Sequence, residues 1–356
     1  NHFHKSDVFR QELVLRDGYC QIEAIKGNYK VQIDIWVDVF NPLVHIETNS
    51  NRPVSVESLY ESWRTEDVEI PKGLRHACFS YTGYPGKVIT YKDEIKFEDN
   101  KVLWYHRNRD DKLLFDFIVD QQGLSKVKEQ LYNTQDGRTF GGMLTGKNMV
   151  AAGNETGEYI GTNYKAWKLK CKQPSEKNHI KLYLNTSITS SVETWKKELK
   201  RLMTNSEANS VRAKQRTRAW WNRFWERSYI IVKSNKVKGD DSVWQIGRNY
   251  QLFRYMLGCN AYGKYPSKFN GSLFTFDPVL VDEQNDWTPD FRKWGGGSFT
   301  AQNQRMVYWP LIKSGDADMM PSQFNFYRNA LPSAETRTKV YWGHQGASFT
   351  EQLENF

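Results

Sequence analysis

Between Tyr29 and Phe40 the chain alternates with a period of two: Val31, Ile33, Ile35, Val37 and Val39 fall on one side, Gln32, Asp34, Trp36 and Asp38 on the other. Successive side chains of a strand point to opposite faces, so an alternation this long specifies a half-buried antiparallel strand and excludes a helix over the same residues. Similar runs predict strands at Leu43–Thr48, Val54–Trp63, Val88–Tyr91, Lys101–His106, Leu113–Val119 and His179–Leu184. Turn chemistry separates them, at Asn41-Pro42, Gly83 with Pro85-Gly86, Asp136-Gly137 and Gly141-Gly142. Many strands with few helices over residues 1–186 predict a large β-sandwich domain.

Residues 187–235 change character and predict a helical linker. The segment from about 190 to 228 has no glycine or proline, and Ser191 can cap its start. Trp221, Phe224 and Trp225 stand at i, i+3 and i+4, on one face, beside Trp220. In such charged, glycine-free surroundings that ring stripe is expected to pack in a core. A short strand at Tyr229–Lys233 is expected next. Residues 236–356 are then mainly helical. One helix starts at Ser242 and carries Ile246, Tyr250, Phe253 and Leu257 as its buried stripe, with Gly263 in reach of its C-terminal cap. Another runs from about Thr300 and stops at Trp309-Pro310, and a further one occupies Pro321–Ala330. The connection from Asp277 to Trp294 is long enough to suggest a functional loop.

The 356 residues are enough for two or three units. Hydrophobic residues make up 39% and aromatic ones 14%, so the available core is rich in rings. The net charge of +9 comes from 50 basic residues dispersed among 41 acidic ones, which argues against a nucleic-acid partner. No run of 18 apolar residues is present, so no membrane span is expected. Cys20, Cys78, Cys171 and Cys259 show no C-x-x-C spacing and are expected to be buried free thiols, with neither metal nor cofactor implied.

The segment from Trp294 to Pro310, WGGGSFTAQNQRMVYWP, places a triple glycine before a run of amides, an arginine and rings. Glycines cost conformational entropy and pack nothing, so three together are not what a core requires. Rings that stack on the apolar faces of sugars, beside amides that hold hydroxyls, are what a saccharide cleft requires. The candidate binding residues are therefore Trp294, Gln302, Gln304, Arg305, Tyr308 and His344. Trp294 is expected to stack on substrate and Trp309 to lie in the core. Arg305 is expected to pair with a carboxylate.

The order of parts resembles glycoside hydrolase family 95: a sandwich, a helix ending in WWNRFWERSYI, then an amide-rich helix ending in YWP. The resemblance is most specific over Trp221–Ile230, Asn249–Gly271 and Gly295–Pro310. It implies an N-terminal β super-sandwich, a helical linker, and the start of an (α/α)6 barrel that is incomplete over these residues. It also implies a glycosidase such as an alpha-L-fucosidase, an oligo- or polysaccharide substrate, and a secreted or periplasmic setting. The family carries two asparagines at the start of the YWP helix, which orient the attacking water. Here Asn303 occupies the second of these positions and Ala301 the first, and Val307 replaces the asparagine before the tyrosine.

Inverting glycosidases use one carboxylic acid and one carboxylate roughly 6.5–9.5 Å apart. Glu351 is the leading carboxylate, because it follows Tyr341, Trp342, His344, Gln345 and Phe349; Ser348 and Glu351 also have the spacing of a helix capping box. Asp290 sits beside Arg292 and Lys293 and is expected to form a structural ion pair. The candidate catalytic residues are thus Glu351 and Asn303. In the resembled family the acid and base come from later in the barrel, so a fragment of a longer enzyme is expected. Three other readings stay open: a carbohydrate-binding module without catalysis, a polysaccharide lyase using Tyr308, His344, Arg305 and Asn303, and a structural sandwich module with no ligand.

Overall fold

The structure is a computed structural model that describes residues 7–77, 81, 83–109, 114–233, 242–267, 280, 284, 287–290 and 299–353. Expectations placed on Cys78, on the start of the connection at Asp277, and on Trp294 with its three glycines lie outside the described residues. The chain divides into two compact units. The first comprises Asn1–Leu113, Gln135–Arg218 and Asp277–Gly295, and the second Leu114–Thr134, Ala219–Phe276 and Gly296–Phe356.

In the first unit the strands are β1 (Val8–Val14), β2 (Tyr19–Lys26), β3 (Tyr29–Val37), β4 (Leu43–Val54), β5 (Glu57–Ser62), β6 (Val68–Glu69), β7 (Ile89–Thr90), β8 (Glu94–Glu98), β9 (Lys101–Arg107), β10 (Arg138–Gly146), β11 (Met149–Tyr159), β12 (Thr162–Cys171) and β13 (Ser175–Ile188). Eight of them form one antiparallel sheet in the order β1-β2-β3-β4-β13-β10-β9-β8, and three form a second sheet, β11-β12-β5. The two sheets face each other through one hydrophobic layer. Val102 and Trp104 of β9, Leu144 of β10 and Ile180 of β13 meet Met149 of β11 and Trp167, Leu169 and Cys171 of β12. This is a β-sandwich.

The alternation of the strands sends the intervening residues to the other face. There Leu43, Leu103, Met143 and Tyr183 are covered by Trp195 and Leu199 of helix α2 (Val192–Ala208). The expected cap is present, with the Thr194 N–H donating to Ser191 Oγ at 3.1 Å. The single helix expected across this region is instead two, because the chain breaks at Asn209 before α3 (Ser210–Arg227).

The polar set of β3 does not face water. Asp34 and Trp36 are 8% and 4% exposed. Lys214 of α3 reaches over them and donates to Asp34 at 3.1 Å and to Glu47 at 2.5 Å. Beside this, Trp36 stacks on His45 at 3.7 Å between ring centroids, and His45 Nδ1 lies 2.9 Å from His179 Nε2. Helix α3 thus covers the face of β3 that the alternation assigned to solvent, while on the other face Val31 is buried, Ile33 and Ile35 are half-buried and Val37 is exposed.

The second unit contains α1 (Leu114–Gln121), the last turns of α3, and then α4 (Ser242–Gly258), α5 (Ala301–Lys313) and α6 (Pro321–Trp342), with short strands β14 (Phe299–Thr300) and β15 (Gln352–Leu353). The expected strand over Leu113–Val119 is therefore the helix α1. Phe115 and Val119 are its buried pair, at the i, i+4 spacing of one helix face. No strand forms at Tyr229–Lys233, where the chain is irregular. The ring stripe does form core: Trp220, Trp221 and Phe224 are 3%, 3% and 0% exposed.

Helix α4 keeps Leu257 of its expected stripe buried and Tyr250 and Phe253 half-buried, but not Ile246. Ile246 is 63% exposed, and the buried set is Gly247, Arg254, Leu257 and Gly258. Gly258 fixes the approach, since a Cβ there would stand 2.7 Å from the Trp221 ring. The left-handed residue after the helix is Tyr262, not Gly263. Helices α5 and α6 both run past a proline, at Pro310 and Pro332. Each proline forfeits a backbone bond, but the buried faces continue beyond it, at Leu311 in α5 and at Ser333, Ala334 and Arg337 in α6.

Candidate functional site

The second unit brings one pair of candidates together. After α6 ends at Gly343, the chain folds back along it. Ser348 N–H donates to Ala334 O at 3.3 Å, Arg337 Nη1 donates to Ser348 O at 3.1 Å, and the Phe349 ring meets Tyr327 edge-on at 5.4 Å. The returning segment then pairs with the entry to α5, Phe299 opposite Leu353 and Thr300 opposite Gln352. The Ala301 N–H donates to Glu351 O at 2.8 Å. The Glu351 main chain therefore lies against the first residue of α5, which Gln302 and Asn303 follow in sequence. Glu351 and Gln302 are exposed and Asn303 is half-buried. No helix starts at Ser348, so the capping-box alternative for Glu351 is not realised.

The other candidates divide between the two faces of α5. Gln304 and Tyr308, one turn apart, are each 2% exposed. Gln304 Nε2 donates to Ser267 O at 2.6 Å, the Ser267 N–H donates to Tyr308 Oη at 2.9 Å, and Tyr308 Oη also lies 3.3 Å from Ser322 Oγ. Gln304 Oε1 is buried with no partner among the described residues. These two side chains hold the helix to its neighbours.

Arg305 and Trp309, each one residue further on, share a different and exposed face. The guanidinium stands 5.5 Å from the Trp309 ring centroid, and Trp309 is 62% exposed. The expectation of a core Trp309 is therefore corrected: the buried quarter of the helix is filled by Gln304, Val307, Tyr308 and Leu311, and Trp309 points away from it. The expected carboxylate partner of Arg305 is also absent among the described residues, where its Nε donates to Gln302 O at 3.3 Å. His344 is not brought to this group. It lies beyond the far end of α6, on the order of 20 Å along the helix axis from the level of Tyr327, with Nδ1 2.8 Å from Gln345 O.

Elsewhere in the unit a charged cluster ties the helices. Arg254, 1% exposed, donates through Nη2 to Asp316 Oδ2 at 2.9 Å and to Phe224 O at 2.9 Å, and lies 4.0 Å from the Phe224 ring centroid. Arg227 bridges Asp316 and Asp318, and Tyr262 donates to Asp318 Oδ2 at 2.7 Å. Burial pushes the Asp318 carboxyl up, but hydrogen bonds from Arg227 and Tyr262 outweigh it and leave it below its ordinary value. Each carboxylate here is committed to an arginine, so the cluster is a tie, not an acid–base pair. Asp290 is likewise paired in the first unit, accepting from Arg64 Nε at 2.7 Å; the expected ion pair exists with a partner remote in sequence.

Of the described cysteines, Cys171 is buried and Cys20 half-buried, as free thiols, while Cys259 is exposed against expectation. Among the described residues no group of three or more His, Cys, Asp or Glu is placed to hold a metal, and no helix is long and apolar enough to cross a membrane.

A β-sandwich followed by a helical unit is the class the fold defines. Residues 1–230 match the family model DUF5703_N, described as a domain of unknown function (DUF5703), and the chain belongs to that family. No curated protein matches it. Among solved structures it is similar to a putative kojibiose phosphorylase from human microbiome, at 13% identity and a TM-score of 0.45, over 98% of this chain and 39% of that one. The chain thus spans about two fifths of that protein's length.

Proposed function

We propose that the chain is part of a carbohydrate-active enzyme, and more finely a glycoside hydrolase in which Glu351 and Asn303 manage the attacking water. The observation that carries this reading is the backbone bond from the Ala301 N–H to Glu351 O, which brings the Glu351 main chain to the helix end that carries Gln302 and Asn303. Glu351 is exposed, so the residue is open to solvent water. The exposed Trp309, with Arg305 across its ring, supplies a flat surface of the kind sugars stack on. Trp294 and Gln302 complete the proposed binding set, with Gln304 and Tyr308 holding α5 in place; His344, beyond the far end of α6, is left out of it. The domain organisation proposed is a sandwich over 1–186, a linker over 187–235, and the first helices of an (α/α)6 barrel over 236–356, in a secreted or periplasmic protein related to glycoside hydrolase family 95.

The test is a panel of aryl glycosides, α-L-fucosides included, and of uronic-acid polymers, assayed on the full-length protein. Release of a free sugar supports the proposal. Formation of an unsaturated uronate would replace it with a lyase, and glycan binding without turnover would replace it with a binding module.

A further inference from the structure

The strand β1 ends the eight-stranded sheet, and its sequence is self-complementary when reversed. It reads Val8, Phe9, Arg10, Gln11, Glu12, Leu13, Val14. Laid antiparallel against a second copy and centred on Gln11, Val8 falls opposite Val14, Phe9 opposite Leu13, Arg10 opposite Glu12, and Gln11 opposite Gln11. We propose that β1 is a homodimerisation edge, through which two copies of this chain join their sheets about a two-fold axis at Gln11.

The side chains needed for this are at the surface. Every residue from Val8 to Leu13 is exposed, with Val8, Phe9 and Leu13 at 48%, 55% and 42%. Edge strands usually carry charges that repel a second strand. Here Arg10 and Glu12 form an ion pair within one chain, with side chains 68% and 45% exposed. In the centred register the two pairs become a square of four alternating charges on one face of the joined sheet. Phe9 and Leu13 pair with their counterparts on the other face, because alternation separates the two sets. Sliding the register by one residue pair to a centre at Arg10 or at Glu12 sets like charges against each other. The charges therefore favour the centred register over its two neighbours, and registers slid further pair fewer of the seven residues.

A seven-residue strand pair is small beside the roughly 1,200–2,000 Å² of a stable interface, so the dimer is concentration-dependent.

The experiment is sedimentation velocity on the whole protein over a concentration series, with circular dichroism to confirm folding. The wild type is expected to pass from monomer to dimer. Arg10→Glu and Glu12→Arg are each expected to weaken self-association at least tenfold. An equimolar mixture of the two restores dimer, because each acidic pair then meets a basic pair, and the double variant R10E/E12R dimerises like the wild type. A wild type that stays monomeric throughout the series overturns the proposal. So does dimerisation of Arg10→Glu equal to the wild type, or a mixture that associates no better than the single variants.

Discussion

Replacing Arg254 with methionine removes one partner of a fully buried ion pair. Asp316 is 0% exposed and accepts from Arg254 at 2.9 Å and 3.1 Å, from Arg227 at 3.2 Å, and from Ser314 Oγ. The variant leaves that carboxylate with one arginine, approached from a single side, and leaves Phe224 O without its donor. Breaking a buried pair by removing one member costs about 3–5 kcal/mol, because the remaining charge stays desolvated. Arg227 persists, so the lower end applies, about 3 kcal/mol. Methionine keeps most of the contact with Phe224, and lost packing adds little. For a unit of this size, the loss corresponds to a melting point lower by roughly 6–12 °C. Thermal and urea unfolding, followed by circular dichroism, measures it. The paired variant Arg254→Met with Asp316→Leu should recover part of the loss, since no charge is then stranded. A single variant within about 1 kcal/mol of the wild type would refute the view that this pair ties α3, α4 and the α5–α6 connection together.

The first unit should lose stability in acid. Burial, then the neighbouring His179 and Lys181, hold His45 down to about 3, and burial likewise lowers His179. The folded value lies below the unfolded one, so the unfolded chain takes up protons first. Stability is intact above pH ~6.5 and declines as pH falls toward 3, by on the order of 2–4 kcal/mol from His45. A His45→Gln variant should flatten that decline in urea titrations, and an unchanged slope would exclude the histidine as its source. Gly142→Ala should destabilise the sandwich by several kcal/mol, because a Cβ there would stand 2.0 Å from Tyr183 O and 2.6 Å from the Trp104 ring; the urea midpoint reads it.

The sandwich was legible where one pattern ruled. The alternation in β3, β4 and β13 marks strands because the sheet imposes period two on them. The β10 strand was hidden by Gly141-Gly142, which look like a turn but lie mid-strand, where the second glycine makes room for Trp104. Helix α4 lies where its pattern predicts and buries Leu257 of the expected stripe, but turns Ile246 outward. Its stripe suggested an apolar face, whereas its buried side is set by Arg254 and a carboxylate 62 residues away. The candidate site has the same character. Gln304 and Tyr308 share one face of α5 and Arg305 and Trp309 another, as the helical period requires. Which face turns inward depends on Ser267 and Ser322, and no local signal reveals them. The meeting of Glu351 with Ala301 depends on a two-residue strand pair that composition does not mark.

The central claim rests on Glu351. On the glycoside that the full-length protein turns over best, Glu351→Gln should lower kcat by 10²–10⁴-fold with KM within about threefold, because the lost group acts on water and not on the sugar. A Glu351→Gln enzyme that keeps wild-type kcat would contradict the account.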